Sequence, residues 1–228
     1  MQRDLPVLVA WVFQGMVKLK GVQKFTEDFI SESPAIVEAR ARAEELGIEC
    51  ITPNAGAHLA VLASALGAKA IVEAGTGAGV SALWMLSASD DSVLATIDSQ
   101  PEFQVAAKLA FKDAKIAPGR TRVISGKATE VMSNMADAAY DLALLDADRS
   151  DLEAQLSQAS RLLRPGGVVV IAHALWRDRV PDPAMRDDAT IIYRDVLRFF
   201  STQQDFVSAL SPVGDGLLIA SKRVTSSS

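Results

Sequence analysis

Several things this sequence lacks narrow what it can be. Of its 228 residues one is cysteine, Cys50, and two are histidine, His58 and His173. No intrachain disulfide can form, and a four-cysteine or multi-histidine metal centre is excluded. A single thiol suits a reducing cytoplasm, which is the expected location. Basic charge is not in excess either: 23 Lys and Arg stand against 28 Asp and Glu, a net charge of -5. Nothing here is built to neutralise a phosphate backbone, so nucleic acid is not expected as a partner. The one membrane-like stretch, Leu5 to Val17, is shorter than the roughly 20 apolar residues a bilayer requires, so no membrane span is expected. It also lacks a basic start and a small-residue cleavage site, because Arg3-Asp4 precede it and Lys18, Lys20 and Lys24 follow.

What remains is a globular composition, 49% hydrophobic and 22% charged, of a length for one sizeable domain or two cramped ones. Residues 1–30 are read as an N-terminal extension, helical or mobile. Its apolar stretch suits an amphipathic helix packed on the body or on a second subunit; a membrane-surface anchor, a mobile extension and a stretch upstream of a later start such as Met16 are the other readings. Residues 31–228 are read as a single domain. Ser33-Pro34 and Thr52-Pro53 each open a helix as N-cap and first helical residue, and Gly47 and Gly67 stop them.

From Ala70 the pattern changes to short apolar runs alternating with helix-length stretches. Strands are expected at Ala70–Ala74, Val93–Ile97, Thr121–Ile124, Tyr140–Leu145 and Val168–Ala172, with helices between them and a long helix from Pro183 to Phe200. A hairpin closes the chain, Phe206–Leu210 and Leu217–Ala220 around Pro212-Val-Gly-Asp-Gly. Continuous apolar runs mark strands buried on both faces, and alternation with helices implies a parallel sheet. The expectation is an α/β, doubly wound, mostly parallel seven-stranded sheet with one antiparallel strand.

The first strand runs into Glu73-Ala-Gly75-Thr76-Gly77-Ala-Gly79-Val80-Ser81. Glycines there let the chain turn sharply and a ligand approach the backbone. A dinucleotide fingerprint would need its third glycine at position 80, where valine stands, so a nicotinamide enzyme is disfavoured. Asp98 ends the second strand, about 20 residues on, where a carboxylate can accept two ribose hydroxyls; a helix N-cap is the plainer role. Asp146 ends the fourth strand and His173 the fifth. Open α/β sheets bind ligands beyond the carboxyl ends of their strands, so Glu73, Asp98, Asp146 and His173 point to one crevice.

Thr52-Pro53, Val72-Glu-Ala-Gly-Thr-Gly-Ala-Gly-Val-Ser81, Thr96-Ile-Asp98, Ser125-Gly-Lys-Ala128, Asp146-Ala-Asp-Arg149 and Leu162-Leu-Arg-Pro-Gly-Gly together carry a resemblance. From about Ser33 to Lys222 the chain resembles the S-adenosylmethionine-dependent O-methyltransferases of the catechol and caffeoyl-CoA type, above all their bacterial branch. The resemblance implies a Rossmann-like methyltransferase fold, a homodimer, and methyl transfer to a hydroxyl of a small-molecule, phenolic acceptor. It implies that Glu73, Gly75, Thr76 and Gly77 line the methionine end of the cofactor. Ser81 would bind its carboxylate under the backbone near Ile51, Asp98 would hold the ribose, Ala128 would meet the adenine, and Asp146 would sit between cofactor and acceptor.

Two departures bear on the chemistry. The relatives' lysine after Asp-Ala-Asp, which helps deprotonate the acceptor, is Arg149 here. A guanidinium stays protonated and cannot act as a base at neutral pH; it can hold an acidic acceptor or an oxyanion. The relatives' Asp-Asn at the end of the fifth strand, which binds a divalent metal with the strand-four aspartate, is Ala172-His173. Mg²⁺ and Ca²⁺ want several oxygen ligands, so a metal is in doubt and none is assigned. His173 is then open to three roles: general base, ligand of a softer ion, or structural residue. A cofactor-binding module with lost or altered catalysis is the alternative reading of the whole chain. His58 reads as a packing residue, Trp176 and Arg177 as a loop over the site, and Arg186-Asp-Asp as a solvated helix face.

Overall fold

A computed structural model of the chain describes residues 21–224. The apolar stretch Leu5–Val17 and the tail Ser226–Ser228 lie outside the described residues. Contacts divide the chain between Ser31 and Glu32. In the first unit, residues 21–28 are helical, with an exposed ion pair from Lys24 to Asp28 one turn on.

The second unit opens with helices α1 (Pro34–Glu45) and α2 (Pro53–Ala65). Ser33 and Thr52 cap them as expected, each side chain accepting a backbone N–H three residues on, and such a cap contributes about 1 kcal/mol. Seven strands follow: β1 (Ala70–Ala74), β2 (Val93–Asp98), β3 (Thr121–Ser125), β4 (Tyr140–Leu145), β5 (Leu163–Ile171), β6 (Phe206–Ser211) and β7 (Leu217–Lys222). They lie in the order β3-β2-β1-β4-β5-β7-β6. All neighbouring pairs from β3 to β5 are parallel, while β7 runs antiparallel to both β5 and β6. The seven-stranded sheet with one antiparallel strand is thus as the apolar runs implied.

Helices α3 (Val80–Leu86), α4 (Pro101–Asp113), α5 (Ala128–Ser133), α6 (Leu152–Leu162) and α7 (Asp188–Thr202) make the crossovers and the cover. Among the described residues, α1 to α4 contact one another and α5 to α7 contact one another, so the sheet lies between two helical layers. Side chains alternate across a strand, and β1 shows the division. Val72 and Ala74 join the core that includes Met132 of α5, Leu156 of α6 and Val196 of α7. Glu73 faces the other way and reaches Ser81 of α3. Leu142, Leu144 and Leu145 of β4 are fully buried, each side chain worth about 1.5–3 kcal/mol removed from water.

Two boundaries differ from the sequence expectation. The long helix begins at Asp188, five residues later than Pro183. The caps explain it: Asp187 accepts the Thr190 N–H as N-cap, and Arg194 fastens onto the carbonyls of Arg179, Val180, Asp182 and Met185, holding that stretch as turns. Asp187 is therefore a cap rather than part of a solvated face, and it also pairs with Arg179 at 3.2 Å. Strand β5 begins at Leu163, upstream of Val168, because Leu163 pairs with Tyr140 before the register shifts at Leu142↔Val168. Arg164-Pro-Gly-Gly is that irregularity, with Gly166 at φ +80°. No helix among the described residues is long and apolar enough to cross a membrane.

Candidate active site

At the carboxyl ends of β1, β2 and β4 lies a cleft of about 580 Å³, the size of a small-molecule site. It sits where the chain leaves the centre of the sheet in opposite directions, from β1 to β2 on one side and to β4 on the other. Of the residues singled out from sequence, Ile51, Gly75, Thr76, Gly77, Ser81, Asp98, Ala128 and Asp146 line it. Glu73, Arg149 and His173 do not form its wall.

The floor is a hydrogen-bonded frame. The Gly75 N–H donates to the Ile97 carbonyl (2.9 Å) and the Asp146 N–H to the Ala74 carbonyl (2.8 Å), which ties the ends of three strands together. A Cβ on Gly75 would stand 2.1 Å from the Asp146 carbonyl oxygen, and the backbone there has φ +95°. Gly75 is glycine because β4 passes against it. Gly77, with φ +48°, has only the Ile48 methyl at 3.4 Å near a virtual Cβ, so its backbone is the one open to a ligand.

Asp98 holds this turn in place. Its Oδ2 accepts the Gly77 N–H (3.0 Å) and its Oδ1 the Gln100 N–H (2.9 Å). The N-cap of α4 is Gln100, so Asp98 is not the helix cap. Glu73 lies beneath the cleft, fully buried, with Ser81 donating to one carboxylate oxygen and Thr96 to the other (2.6 Å). Burial pushes its carboxyl up to about 8, against the lowering effect of those two hydroxyls. Ser81 thus touches both the cleft and the buried acid. Cys50 lines the wall, and burial raises its thiol to about 11.

Beyond Asp146 lies a second group of side chains. Burial raises the Asp146 carboxyl to about 6, with His173 and Arg149 pulling it down and Glu49 adding to the rise. His173 Nε2 stands 3.6 Å from Asp146 Oδ1, and its Nδ1 lies 3.3 Å from Asp215 Oδ2. Burial alone would lower its pKa, but the hydrogen bond to Asp215 and the charge of Asp146 outweigh that and raise it. Arg149 lies 3.9 Å over the Trp176 ring, which stacks at 5.7 Å on Tyr193 from α7. Arg177 approaches the same ring at 5.1 Å and pairs with Glu49. His58 is elsewhere, its Nδ1 on the Asn54 carbonyl one turn back in α2.

Asp215, Glu49 and Tyr193 were not read from the sequence. Asp215 sits between Gly214 and Gly216, where an aspartate reads as turn chemistry; Tyr193 is one apolar position in a periodic helix. His173, Trp176, Arg177 and Asp178 all have positive φ, between 46° and 59°. A run of non-glycine residues in the left-handed region has no sequence signature.

The side chains beyond Asp146 make a poor donor set for the divalent metal of the family that the chain resembles. Ala172 offers a buried methyl, Asp146 one carboxylate, and His173 an imidazole whose other nitrogen is held by Asp215. Asp148 follows in the same connection, its Oδ1 accepting the Ser150 N–H and hydroxyl. Among the described residues no group of three or more His, Cys, Asp or Glu side chains could hold an ion. These donors do not fit a hard, oxygen-seeking cation.

Comparison with known proteins agrees with this geometry. The family model described as O-methyltransferase matches residues 31–223. A protein of Mycobacterium avium (strain 104) that bears the provisional name O-methyltransferase is 47% identical over 195 residues, 85% of this chain and 88% of its own. A crystal structure from Corynebacterium glutamicum superposes with a TM-score of 0.84 at 28% identity, covering 92% of this chain and 99% of that one. The O-methyltransferase TomG from Streptomyces achromogenes, solved with S-adenosylmethionine, has the same fold: TM-score 0.77, 24% identity, 88% of this chain and 95% of that one. The sheet order, the glycine turn and these matches together make this chain a member of the O-methyltransferase family.

Proposed function

We propose that the chain transfers a methyl group from S-adenosylmethionine to a hydroxyl of a small-molecule acceptor, phenolic in kind, without a divalent metal. The observation that carries it is the His173 imidazole 3.6 Å from Asp146, in a place where a metal would need oxygen donors. The sulfonium supplies the driving force when the donor is bound, so the protein must align the two partners and accept a proton.

In this reading the open backbone at Gly77, with Gly75 and Thr76, takes the methionine end. Ser81 and the backbone near Ile51 meet its carboxylate, Asp98 the ribose, and Ala128 the adenine. Glu73 supports the turn from below: fully buried, it accepts from Ser81 and Thr96 and fixes both rather than touching the ligand. Asp146 lies between donor and acceptor. His173 takes the hydroxyl proton, and Arg149 holds the oxygen side of the acceptor. Residues 31–228 act as one domain, with 1–30 as an extension and a homodimer in a reducing cytoplasm as the working form.

The test has three parts. Calorimetric titration with S-adenosylmethionine and with NADH should show heat for the first alone. A panel of phenols and catechols should show turnover that EDTA leaves unchanged. His173→Ala should then lower turnover on the order of 10²–10⁴-fold with little change in donor affinity. Loss of turnover in EDTA, restored by Mn²⁺ or Zn²⁺, would make His173 a ligand. Full activity of His173→Ala in EDTA would leave it a structural residue. Donor binding without turnover of any acceptor would favour a binding module.

A further inference from the structure

Asp215 is remote in sequence from the cleft and belongs to no motif, yet four contacts join its turn to the chain leaving β5. The Leu175 N–H donates to the Asp215 carbonyl (2.9 Å) and the Ala174 N–H to the Gly216 carbonyl (3.0 Å). The Arg177 N–H donates to Asp215 Oδ1 (2.6 Å), and His173 Nδ1 stands 3.3 Å from Asp215 Oδ2. The close approach depends on Gly216, where a Cβ would fall 2.7 Å from the Leu175 nitrogen at φ +89°. One carboxylate oxygen therefore holds the loop, and the other faces the imidazole.

We infer that Asp215 is a positioning residue for His173: it fixes the ring as the Nδ1–H tautomer and leaves the Nε2 lone pair facing Asp146, where an acceptor proton must go. This rests on the base role proposed above. A neutral imidazole carries one N–H. An ionised carboxylate accepts and never donates; Asp215 at 3.3 Å from Nδ1 is within hydrogen-bond reach, whereas Asp146 at 3.6 Å from Nε2 lies beyond it, so the nitrogen against Asp215 is the one that bears hydrogen. The side chain of Asp215 is 19% exposed and that of His173 13%, so water competes little for either. The left-handed backbone at His173, φ +56°, turns the chain out of the β5 direction at the residue whose ring is gripped. Strand and turn thus hold the ring from the Asp215 side, while Asp146 closes the other side from β4.

The proton transfer balances. As the acceptor oxygen forms its bond to the methyl carbon, the sulfur–methyl bond breaks and sulfonium becomes neutral thioether. The hydroxyl proton passes to Nε2, and the resulting imidazolium lies between Asp215 and Asp146. Glu49, from the segment before α2, is a third carboxylate acting on the ring, while the Arg149 and Arg177 guanidiniums lie over Trp176.

The test reads the ring directly and needs no acceptor. Full-length chain labelled with ¹⁵N-histidine has two imidazoles, and His58→Gln assigns them. In wild type above its titration, His173 should carry hydrogen on Nδ1, with a midpoint above the usual 6.5 or so. Asp215→Asn keeps an oxygen for the Arg177 N–H but turns an amide donor toward the ring. It should switch the neutral form to Nε2–H and lower the midpoint by about one unit. An Nε2–H tautomer in wild type overturns the inference, whether or not the variant folds. So does a variant with unchanged tautomer and midpoint, which would leave Asp215 a loop staple only. Failure of the base role itself shows separately, as full turnover by His173→Ala in EDTA.

Discussion

The two ends of the site are built differently. The cleft proposed as the donor end is lined by the glycine turn after β1, the end of β2 and the first residues of α5, together with residues 48–51 and the start of the β4–α6 connection. The acceptor end is assembled from side chains of the β4–α6 connection, the loop after β5, α7 and the β6–β7 turn. At the donor end the requirement is local, because a turn that lets strands and ligand meet at the backbone needs glycine at set positions. At the acceptor end the requirement is global, because His173 is defined by Asp146 and Asp215, 27 and 42 residues away.

The largest effect that would sharpen this contrast falls on the donor end. Gly75→Val should abolish folding, since its Cβ would meet the Asp146 backbone at 2.1 Å. We expect no cooperative thermal transition. The paired substitution Gly77→Ala should fold and lose about 1 kcal/mol for a left-handed alanine. If both variants melt alike, the difference drawn between the two glycines is wrong.

A smaller effect is expected for Asp98. Asp98→Ala should weaken S-adenosylmethionine by roughly 1–3 kcal/mol, as two hydroxyls lose a charged acceptor. The turn loses its Gly77 and Gln100 anchors as well. Asp98→Asn, which keeps an oxygen, should fall between the two when dissociation constants are measured by calorimetry. Equal affinity for all three would remove Asp98 from the donor site.

A further effect is a pH dependence spread over both ends. Folded Glu73 and Asp146 hold protons up to about 8 and about 6, whereas unfolded carboxyls release them near pH 4 or so. His173, also raised, has the same sign. The folded chain binds more protons than the unfolded one across this window, so stability falls as pH rises from about 4.5 to 8. Thermal unfolding should show Tm declining by several degrees over that range, and Glu73→Gln should flatten the slope. A Tm that climbs with pH across the window would contradict the upward shift of the Glu73 carboxyl.

The same contrast explains what the sequence made legible. Ser33-Pro34 and Thr52-Pro53 announced their helices because capping is a matter of adjacent residues. The apolar runs announced β1 to β5 because strands covered on both faces need apolar side chains throughout. The start of α7 was misread because Arg194, nearly two turns inside the helix, holds the preceding carbonyls in a different shape. Gly75 was read as ligand space and does line the cleft; the constraint set by the Asp146 backbone beyond β4 was not visible. Asp215 was invisible, since aspartate between two glycines satisfies any turn.

The insertion of β7 between β5 and β6 has a consequence in time. Every residue lining the donor cleft lies between positions 48 and 155. On a chain made from its amino terminus, these groups are all present while β5 still exposes the edge that β7 will occupy. The last long-range pairing, Val168↔Ser221 to Ile171↔Leu218, must wait for the final hairpin, and the same hairpin brings Asp215 to His173. Closing the sheet edge and bringing Asp215 to the imidazole therefore depend on one and the same final hairpin.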